Sequence, residues 1–239
     1  MRTKSCWGYP PSRLYKFIQK VKPIIPEHAT VCVVGASDGK FVFPFLRQGF
    51  DVTAVELDEV ALYGGLKMFP VRENGIEKME YVMTENSPKY QRLLVKEVNI
   101  EGLVKRAEKE DLLRNLHIKV MNYYKEPVTV QYDIVFTSCS IPYECNLDIS
   151  IDSIMATLKS SVKINGYLYM DYLMPLEDRH TWKTEHYFRS GEIKRYFESD
   201  EWAIQYSYEQ KKPIFEVAHV DRPEDHFHRF GYILAKRLE

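Results

Sequence analysis

The stretch Val31 to Asp58, VCVVGASDGKFVFPFLRQGFDVTAVELD, constrains the fold more than any other part of the chain. Val31, Val33 and Val34 form a β-branched run ending at Gly35, the pattern of a strand buried on both faces of a parallel sheet. The small residues Ala36-Ser37-Asp38-Gly39 follow, and then an apolar segment of helical length. A second strand, Val52-Thr53-Ala54-Val55, ends in Glu56. Small residues at a strand-to-helix turn let a ligand approach the backbone, and the helix that follows offers free N–H groups. A carboxylate about 20 residues beyond such a turn can accept both hydroxyl hydrogens of a ribose. Glu56 lies 21 positions after Gly35. The stretch therefore predicts a nucleoside-containing cofactor across the ends of the first two strands.

Composition narrows the partners. Lys and Arg (33) nearly balance Asp and Glu (34), for a net charge of −1, which argues against a protein built to grip phosphate backbones. With 239 residues, the chain is long enough for one large domain that buries most of its apolar surface. Cys6, Cys32, Cys139 and Cys145 lack zinc-ligand spacing, so no metal site is expected. With no secretory leader before them, they fit reduced thiols in a cytoplasm. No apolar run is long enough to cross a bilayer.

Elsewhere the periodicity predicts alternating helices and strands. Trp7 to Pro11 forms an aromatic turn before an amphipathic helix carrying Leu14, Phe17, Ile18 and Val21; Trp7 or Tyr9 is a candidate cover for the pocket. The segment Gly64 to Lys96, broken by Pro70, Gly75 and Pro88, reads as the least regular part of the chain. It is an insertion after the second strand, either a substrate-covering lid or a surface for a partner or a second copy. A helix from Leu103 to Leu113 precedes a third strand at His117–Met121. The fourth strand is Tyr132–Thr137, and Ser150 caps the next helix. The fifth strand is Tyr167–Leu173. Trp202–Tyr208 is a further strand, and Pro213–Val220 pairs with Phe227–Lys236 around the polar turn Asp221–Asp225. Repeated βα units imply right-handed crossovers and a mostly parallel sheet finished by an antiparallel hairpin.

The loop at Gly35 resembles motif I of the class I S-adenosylmethionine-dependent methyltransferases, acid-x-Gly-x-Gly-x-Gly. Gly35, Ser37 and Gly39 fall on the three glycine positions, and Val33 falls where an acid is common. Asn115-Leu116-His117, Tyr132 to Phe136, Ser190 to Phe197 and Arg229 to Lys236 are similar, in order and spacing, to the tellurite-resistance-type small-molecule methyltransferases, which lack Gly64 to Lys96. The resemblance implies a Rossmann-like α/β fold: a mostly parallel seven-stranded sheet, an antiparallel C-terminal hairpin, and helices on both faces. It also implies S-adenosyl-L-methionine as cofactor. Gly35, Ala36, Ser37 and Gly39 would floor the methionine and ribose, Glu56 would bind the ribose hydroxyls, and Leu57 would pack on the adenine. Asn122 would bond the adenine amino group with Tyr123 beside it, and Ser138 and Cys139 would lie beneath the sulfonium. The subgroup's His and Arg on the last hairpin have His219 and Arg229 as nearest matches here.

Methyl transfer from a sulfonium is an in-line displacement, so the protein mainly aligns the nucleophile and removes a proton where needed. His219, His226 and His228 are candidate bases because imidazole titrates near neutrality. Asp171 and Tyr172, ending the fifth strand, are candidate lining residues. Ser140-Ile141-Pro142-Tyr143 resembles the Asn/Asp-Pro-Pro-Tyr of amino-group methyltransferases and makes Tyr143 a candidate for stacking on a planar acceptor. Three functions stand open: methylation of a small molecule, N-methylation of a nucleic-acid base or peptide nitrogen, and a non-catalytic cofactor-binding partner protein.

Overall fold

The computed structural model describes residues 5–6, 8–73, 76–82, 90–176, 186–216 and 226–239. Its main sheet has seven strands in series: β1 (Thr30–Val34), β2 (Asp51–Glu56), β3 (Leu116–Val120), β4 (Tyr132–Ser138), β5 (Val162–Met174), β6 (Trp202–Glu209) and β7 (His226–Arg237). Across the sheet they run β6-β7-β5-β4-β1-β2-β3, and the short segment Ile214–Glu216 pairs with the start of β7 as an eighth member. The first five strands are mutually parallel, while β7 runs antiparallel to β5 and β6 antiparallel to β7. From β1 the chain moves outward through β2 to β3, then returns to the other side of β1 for β4 and β5. That reversal leaves a crevice at the carboxyl ends of β1 and β4, where open α/β sheets bind ligands.

The buried-both-faces reading of β1 holds. Val31 and Val33 enter the core layer beneath α1 (Ser12–Val21) and α2 (Val42–Leu46); Cys32 and Val34 enter the opposite layer. α1 docks through Leu14, Phe17, Ile18 and Val21, the residues spaced for one face, and Phe17 meets Tyr167 and Tyr169 edge-on at 6.1 and 5.1 Å. Four such side chains contribute about 1.5–3 kcal/mol each by leaving water, which a ten-residue helix in isolation lacks. The opposite layer is packed by Ile154, Met155 and Leu158 of α5 (Ile151–Ser160), whose first turn is capped by the Ser150 hydroxyl accepting from Ser153 N–H at 3.1 Å.

Two expectations change. The helix after the Gly35–Gly39 turn is five residues long, and Val42 and Phe43 N–H both donate to the Gly39 carbonyl at 3.1 Å. Its N-terminus is satisfied by the turn itself and offers no row of free donors. The insertion is not irregular either. Gly65–Pro70 pairs antiparallel with Val95–Ile100, so the excursion closes at Ile100 rather than Lys96. Beyond that stem, Arg72–Glu73 pairs with Ile76–Glu77, and Met79–Val82 with Tyr90–Leu93. The branch point is a ring of backbone bonds: Val71 N–H to Leu94 O (2.8 Å), Leu94 N–H to Lys78 O (2.8 Å), and Lys78 N–H to Val71 O (2.7 Å). Sequence reasoning missed this because Pro70 sits at the end of its strand, where it does not stop the pairing; Gly75 lies outside the described residues. The arm roots between α3 (Glu59–Tyr63) and α4 (Leu103–Lys109), where Gly64 (φ +92) and Gly102 (φ +83) cross so closely that a Cβ on either would strike the other strand's backbone. Among the described residues no helix is long and apolar enough to cross a membrane.

Candidate functional site

The turn after β1 owes its shape to three left-handed residues. Gly35 (φ +74), Ser37 (φ +47) and Gly39 (φ +96) occupy the three positions read from the sequence as glycine-like. Ser37 therefore adopts a conformation that costs a side-chain-bearing residue roughly 1–2 kcal/mol. The glycines themselves are demanded by the protein: a Cβ at Gly35 would strike Ser140, and one at Gly39 would strike Phe43 and Leu103. Gly35 and Ala36 N–H both donate to the Val55 carbonyl, at 2.9 and 3.0 Å, which folds the turn back onto the end of β2.

Glu56 closes that clasp. Its Oε2 accepts from Ser37 N–H at 2.8 Å, and its Oε1 accepts from Leu57 and Asp58 N–H at 2.8 and 3.0 Å. Three backbone donors orient the carboxylate at the mouth of the crevice, next to Leu57, which is 47% exposed. Behind the turn, the buried Asp38 anchors it. The Ser5 hydroxyl, Cys6 N–H (2.9 Å) and Arg106 Nη1 (2.6 Å) all reach its carboxylate, and Arg106 also donates to its carbonyl. The N-terminal segment thus does reach the turn, but through Ser5 and Cys6; Tyr9 is 53% exposed and Trp7 lies outside the described residues.

Across the crevice, β4 ends at Ser138, opposite Asp171 of β5, and the left-handed Cys139 (φ +54) donates its N–H to the Asp171 carbonyl at 3.0 Å. Asp171 Oδ2 accepts from Arg13 Nη2 at 2.8 Å and from the Ser138 hydroxyl at 3.0 Å. Its Oδ1 is enclosed without a partner among the described residues, as is Arg13 Nε. An orphan of this kind costs about 1–3 kcal/mol. Burial pushes the Asp171 carboxyl above its ordinary value despite Arg13, Ser138 and Lys40 nearby. Burial works against the Arg13 charge too, but Asp171 and Tyr169 outweigh it and hold it up. Lys40, next to Gly39, is lowered by burial. Cys139, half-buried beside Asp171, is pushed up to about 12 by desolvation and by that carboxylate and stays a thiol at neutral pH, which suits a wall rather than a nucleophile.

Other expected residues are placed differently. Tyr123 is buried in the core layer with Cys32, Val55 and Tyr124. Asn122 ties loops together: its amide donates to Cys145 O (3.1 Å) and Asn146 Oδ1 (2.9 Å), and its Oδ1 accepts from Tyr124 N–H (3.1 Å). In the Ser140–Tyr143 stretch, the Ser140 hydroxyl bonds Tyr124 (2.6 Å) and Thr137 (2.5 Å), and its carbonyl accepts from Asn146 (2.9 Å). Ile141 is buried and Tyr143 is 51% exposed, so the polar groups that would hold an acceptor amine are engaged internally. Arg229, in the fourth position of β7, pairs with Met174 at the end of β5, and its Nη2 donates to Pro175 O at 3.3 Å. His219 lies outside the described residues, as do the side chains of His226 and His228. Tyr172 packs in the core layer with Phe188, away from Asp171.

Sequence reasoning missed Asp38, Arg13, Lys40 and His186. His186 is buried where the chain returns past the end of β5, with Phe188 N–H on Leu173 O at 3.0 Å. Its Nε2 faces the Asn146 carbonyl at 2.7 Å, and a carbonyl only accepts; Nε2 therefore carries the hydrogen. Nδ1 is enclosed with no partner among the described residues.

This sheet order, with a parallel half and an antiparallel β7, is the fold of the class I S-adenosylmethionine-dependent methyltransferases. Among solved structures, the chain is similar to TehB from Haemophilus influenzae (16% identity, TM-score 0.58), with 93% of this chain matched to 61% of that one. It thus spans about three-fifths of that protein's length. It is also similar to magnesium protoporphyrin IX methyltransferase from Synechocystis PCC 6803 with bound SAM (10%, 0.51, 95% of this chain and 78% of that one) and to the [4+2]-cyclase SpnF (10%, 0.58, 94% and 80%). No family model and no curated protein matches the sequence.

Proposed function

We propose that the chain binds S-adenosyl-L-methionine across the carboxyl ends of β2, β1 and β4 and methylates a small-molecule acceptor held at the β4–β5 edge. One observation carries the reading: a turn with left-handed Gly35, Ser37 and Gly39, clasped onto the Glu56 carboxylate at the point where the strand order reverses. The residues fit that cofactor. Glu56 is an oriented acceptor for ribose hydroxyls, Leu57 offers apolar surface at the end of β2, and Ala36 and Ser37 form the floor. Ser138 and Cys139 line the β4 end, and Asn122 holds the loop beside the adenine position. The neighbour with bound SAM supports the same ligand, whereas the cyclase shows that this fold also carries other chemistry, so the site must be tested by itself.

When bound, the sulfonium supplies the activated methyl group. The chain's own residues would then align the acceptor, exclude water and take up a proton where the acceptor carries one. His186 Nδ1, Arg229, Tyr143 and His219 are the groups we assign to the acceptor side, with the Gly65–Ile100 arm as its cover. The net charge of −1 favours a small acceptor over nucleic acid.

Calorimetry with S-adenosylmethionine is the direct test. Wild-type protein should bind it, and Glu56→Ala should weaken binding by about 1–3 kcal/mol through loss of a charge-assisted hydrogen bond. Affinity unchanged in Glu56→Ala removes that residue from the site; a wild-type protein that binds nothing ends the reading. Release of S-adenosylhomocysteine with thiol, amine, phenol or chalcogen-oxyanion acceptors would then sort the acceptor atom.

A further inference from the structure

We propose that the chain forms a symmetric dimer through the uncovered face of β6 and β7, with the basic flank of α1 in one copy set against the acidic turn before β6 in the other. The surface lies at the opposite end of the sheet from the β2 end where the Gly65–Ile100 arm departs, and it does not depend on the cofactor reading.

α1 reaches across the sheet as far as β7. Its Arg13 guanidinium stands over the Tyr232 ring at 4.8 Å, and Tyr232 and Leu234 of β7 pack against the core layer beneath it. Register sets Tyr206 of β6 beside Leu234 and Tyr208 beside Tyr232, so both rings rise on the α1 face. Tyr206 stacks on Tyr232 with centroids 5.4 Å apart, and Tyr208 meets the same ring at 5.1 Å. Beyond Arg13 the two β6 tyrosines stay 51% and 45% exposed and form a ledge beside the helix. Large rings already stacked in place lose little freedom on contact, which is why tyrosine is favoured at interfaces. The free edge of β6 is different: a bulge between Ile204 and Tyr206 interrupts it and guards it against pairing strand to strand. A partner therefore meets the face rather than the edge.

Charge selects a second copy as that partner. α1 has no acidic residue, and its cations share one flank: Lys16 and Lys20 follow Arg13 by three and seven positions, which at about 3.6 residues per turn keeps them on the side that Arg13 turns to Tyr232. The turn entering β6, Glu198-Ser199-Asp200-Glu201, exposes three acids. Within one chain none of Lys16, Lys20, Glu198, Asp200 and Glu201 joins an ion pair among the described residues. β5 and β6 both run antiparallel to β7, hence parallel to each other, and α1 runs back along them from Arg13 at Asp171. Lys20 and the acidic turn therefore both lie towards the amino ends of these strands. A second copy turned about a twofold axis along the strands sets its ledge about 10 Å above the first, the spacing of stacked sheets, in the layer that α1 occupies. Each β6 then abuts the other copy's α1, acid and base at one height, with the tyrosines of both copies between. Such a step is complementary to itself and closes after two chains, as an isologous contact must.

Sedimentation equilibrium of the full chain at low salt reads the association. With rising concentration, wild type should pass from the 28.2 kDa chain to twice that mass, and added salt should weaken the dimer. Tyr206→Ser combined with Tyr208→Ser should raise the dimer Kd about tenfold or more at an unchanged melting temperature. Lys16→Glu with Lys20→Glu, and separately Asp200→Lys with Glu201→Lys, should each do the same. All four charge changes together exchange the signs and should return Kd to within about threefold of wild type. A wild type that stays monomeric, an unchanged Kd in the tyrosine variant, a four-charge variant no better than its parents, or a dimer lost on excising residues 71–94 of the arm would each overturn the proposal. A monomer that instead binds oligoglutamate or oligothymidylate, and loses it with Lys16→Glu and Lys20→Glu, gives the face to an acidic protein segment or to nucleic acid and overturns the dimer as well. S-adenosylmethionine binding is measured separately on the same variants, so loss of the dimer leaves the cofactor reading intact.

Discussion

At the level of single residues, Ser37 shows how a motif departs from its usual letters without losing its geometry. Its φ of +47 makes it a stand-in for glycine, and its N–H feeds Glu56. Ser37→Gly should leave thermal stability unchanged or slightly higher. Ser37→Val should lower it by about 1–2 kcal/mol, since a β-branched side chain fits that region poorly; a neutral valine would mean the turn is not held left-handed. The turn at Gly35 and the acid at Glu56 were legible from their spacing, whereas Ser138 entered only through the resemblance. Tyr123 also came with the resemblance; its burial was not legible, because spacing cannot say on which face a residue emerges after a strand ends. His186 was invisible, since its environment is made by Asn146 and Phe188, which only folding brings near. Nitrogen-15 NMR should find a hydrogen on its Nε2. Because a glutamine amide can replace that donor, His186→Gln should keep the melting temperature while His186→Ala lowers it. A ring with no hydrogen on Nε2 would contradict the hydrogen-bond assignment.

Elements differ in how far their pattern declares them. α1 and α5 were readable from apolar periodicity and a serine cap, whereas α2 stopped after five residues because Gly39, Pro44 and Gly49 crowd it. The strands at the two edges of the sheet titrate in opposite senses. At the amino edge, burial would raise the Asp133 carboxyl, but Lys163 at 2.9 Å and the Thr30 N–H and hydroxyl, both at 2.8 Å, hold it below its ordinary value. Its contribution to stability is present above the unfolded carboxylate pKa of about 3.9 and is lost as pH falls through the lower folded value. Asp171, raised by burial, works the other way: its stabilising share is full below the unfolded pKa and is lost as pH rises through the folded one. Urea midpoints should therefore fall less steeply on acidification in Asp133→Asn, and fall less from acid to neutral pH in ligand-free Asp171→Asn. Parallel curves for either variant and wild type would reject the assignment. At the arm's root, Gly102→Ala forces a Cβ into Tyr63 and Gly64 at positive φ and should cost more than the ~1 kcal/mol of backbone strain alone. Hydrogen exchange should speed in Gly65–Ile100 first.

For the molecule as a whole, the mostly parallel sheet with an antiparallel finish was foreseen from repeated βα units with right-handed crossovers, whereas the strand order was read only from the structure. The arm obeyed no such rule; its strands pair locally and carry no periodicity longer than six residues. Excising residues 71–94 and closing Pro70 to Val95 with an Asn-Gly turn should leave the main sheet folded, with S-adenosylhomocysteine affinity within about threefold. A collapse of the remaining fold would make the arm part of the core rather than an addition to it. The ring of three amide-to-carbonyl bonds at Val71, Lys78 and Leu94 gives the arm a further property. Each outgoing hairpin starts from its own fixed corner, so residues added to one loop leave the alignment of the other untouched. A label engineered into either tip would accordingly report on one branch in isolation.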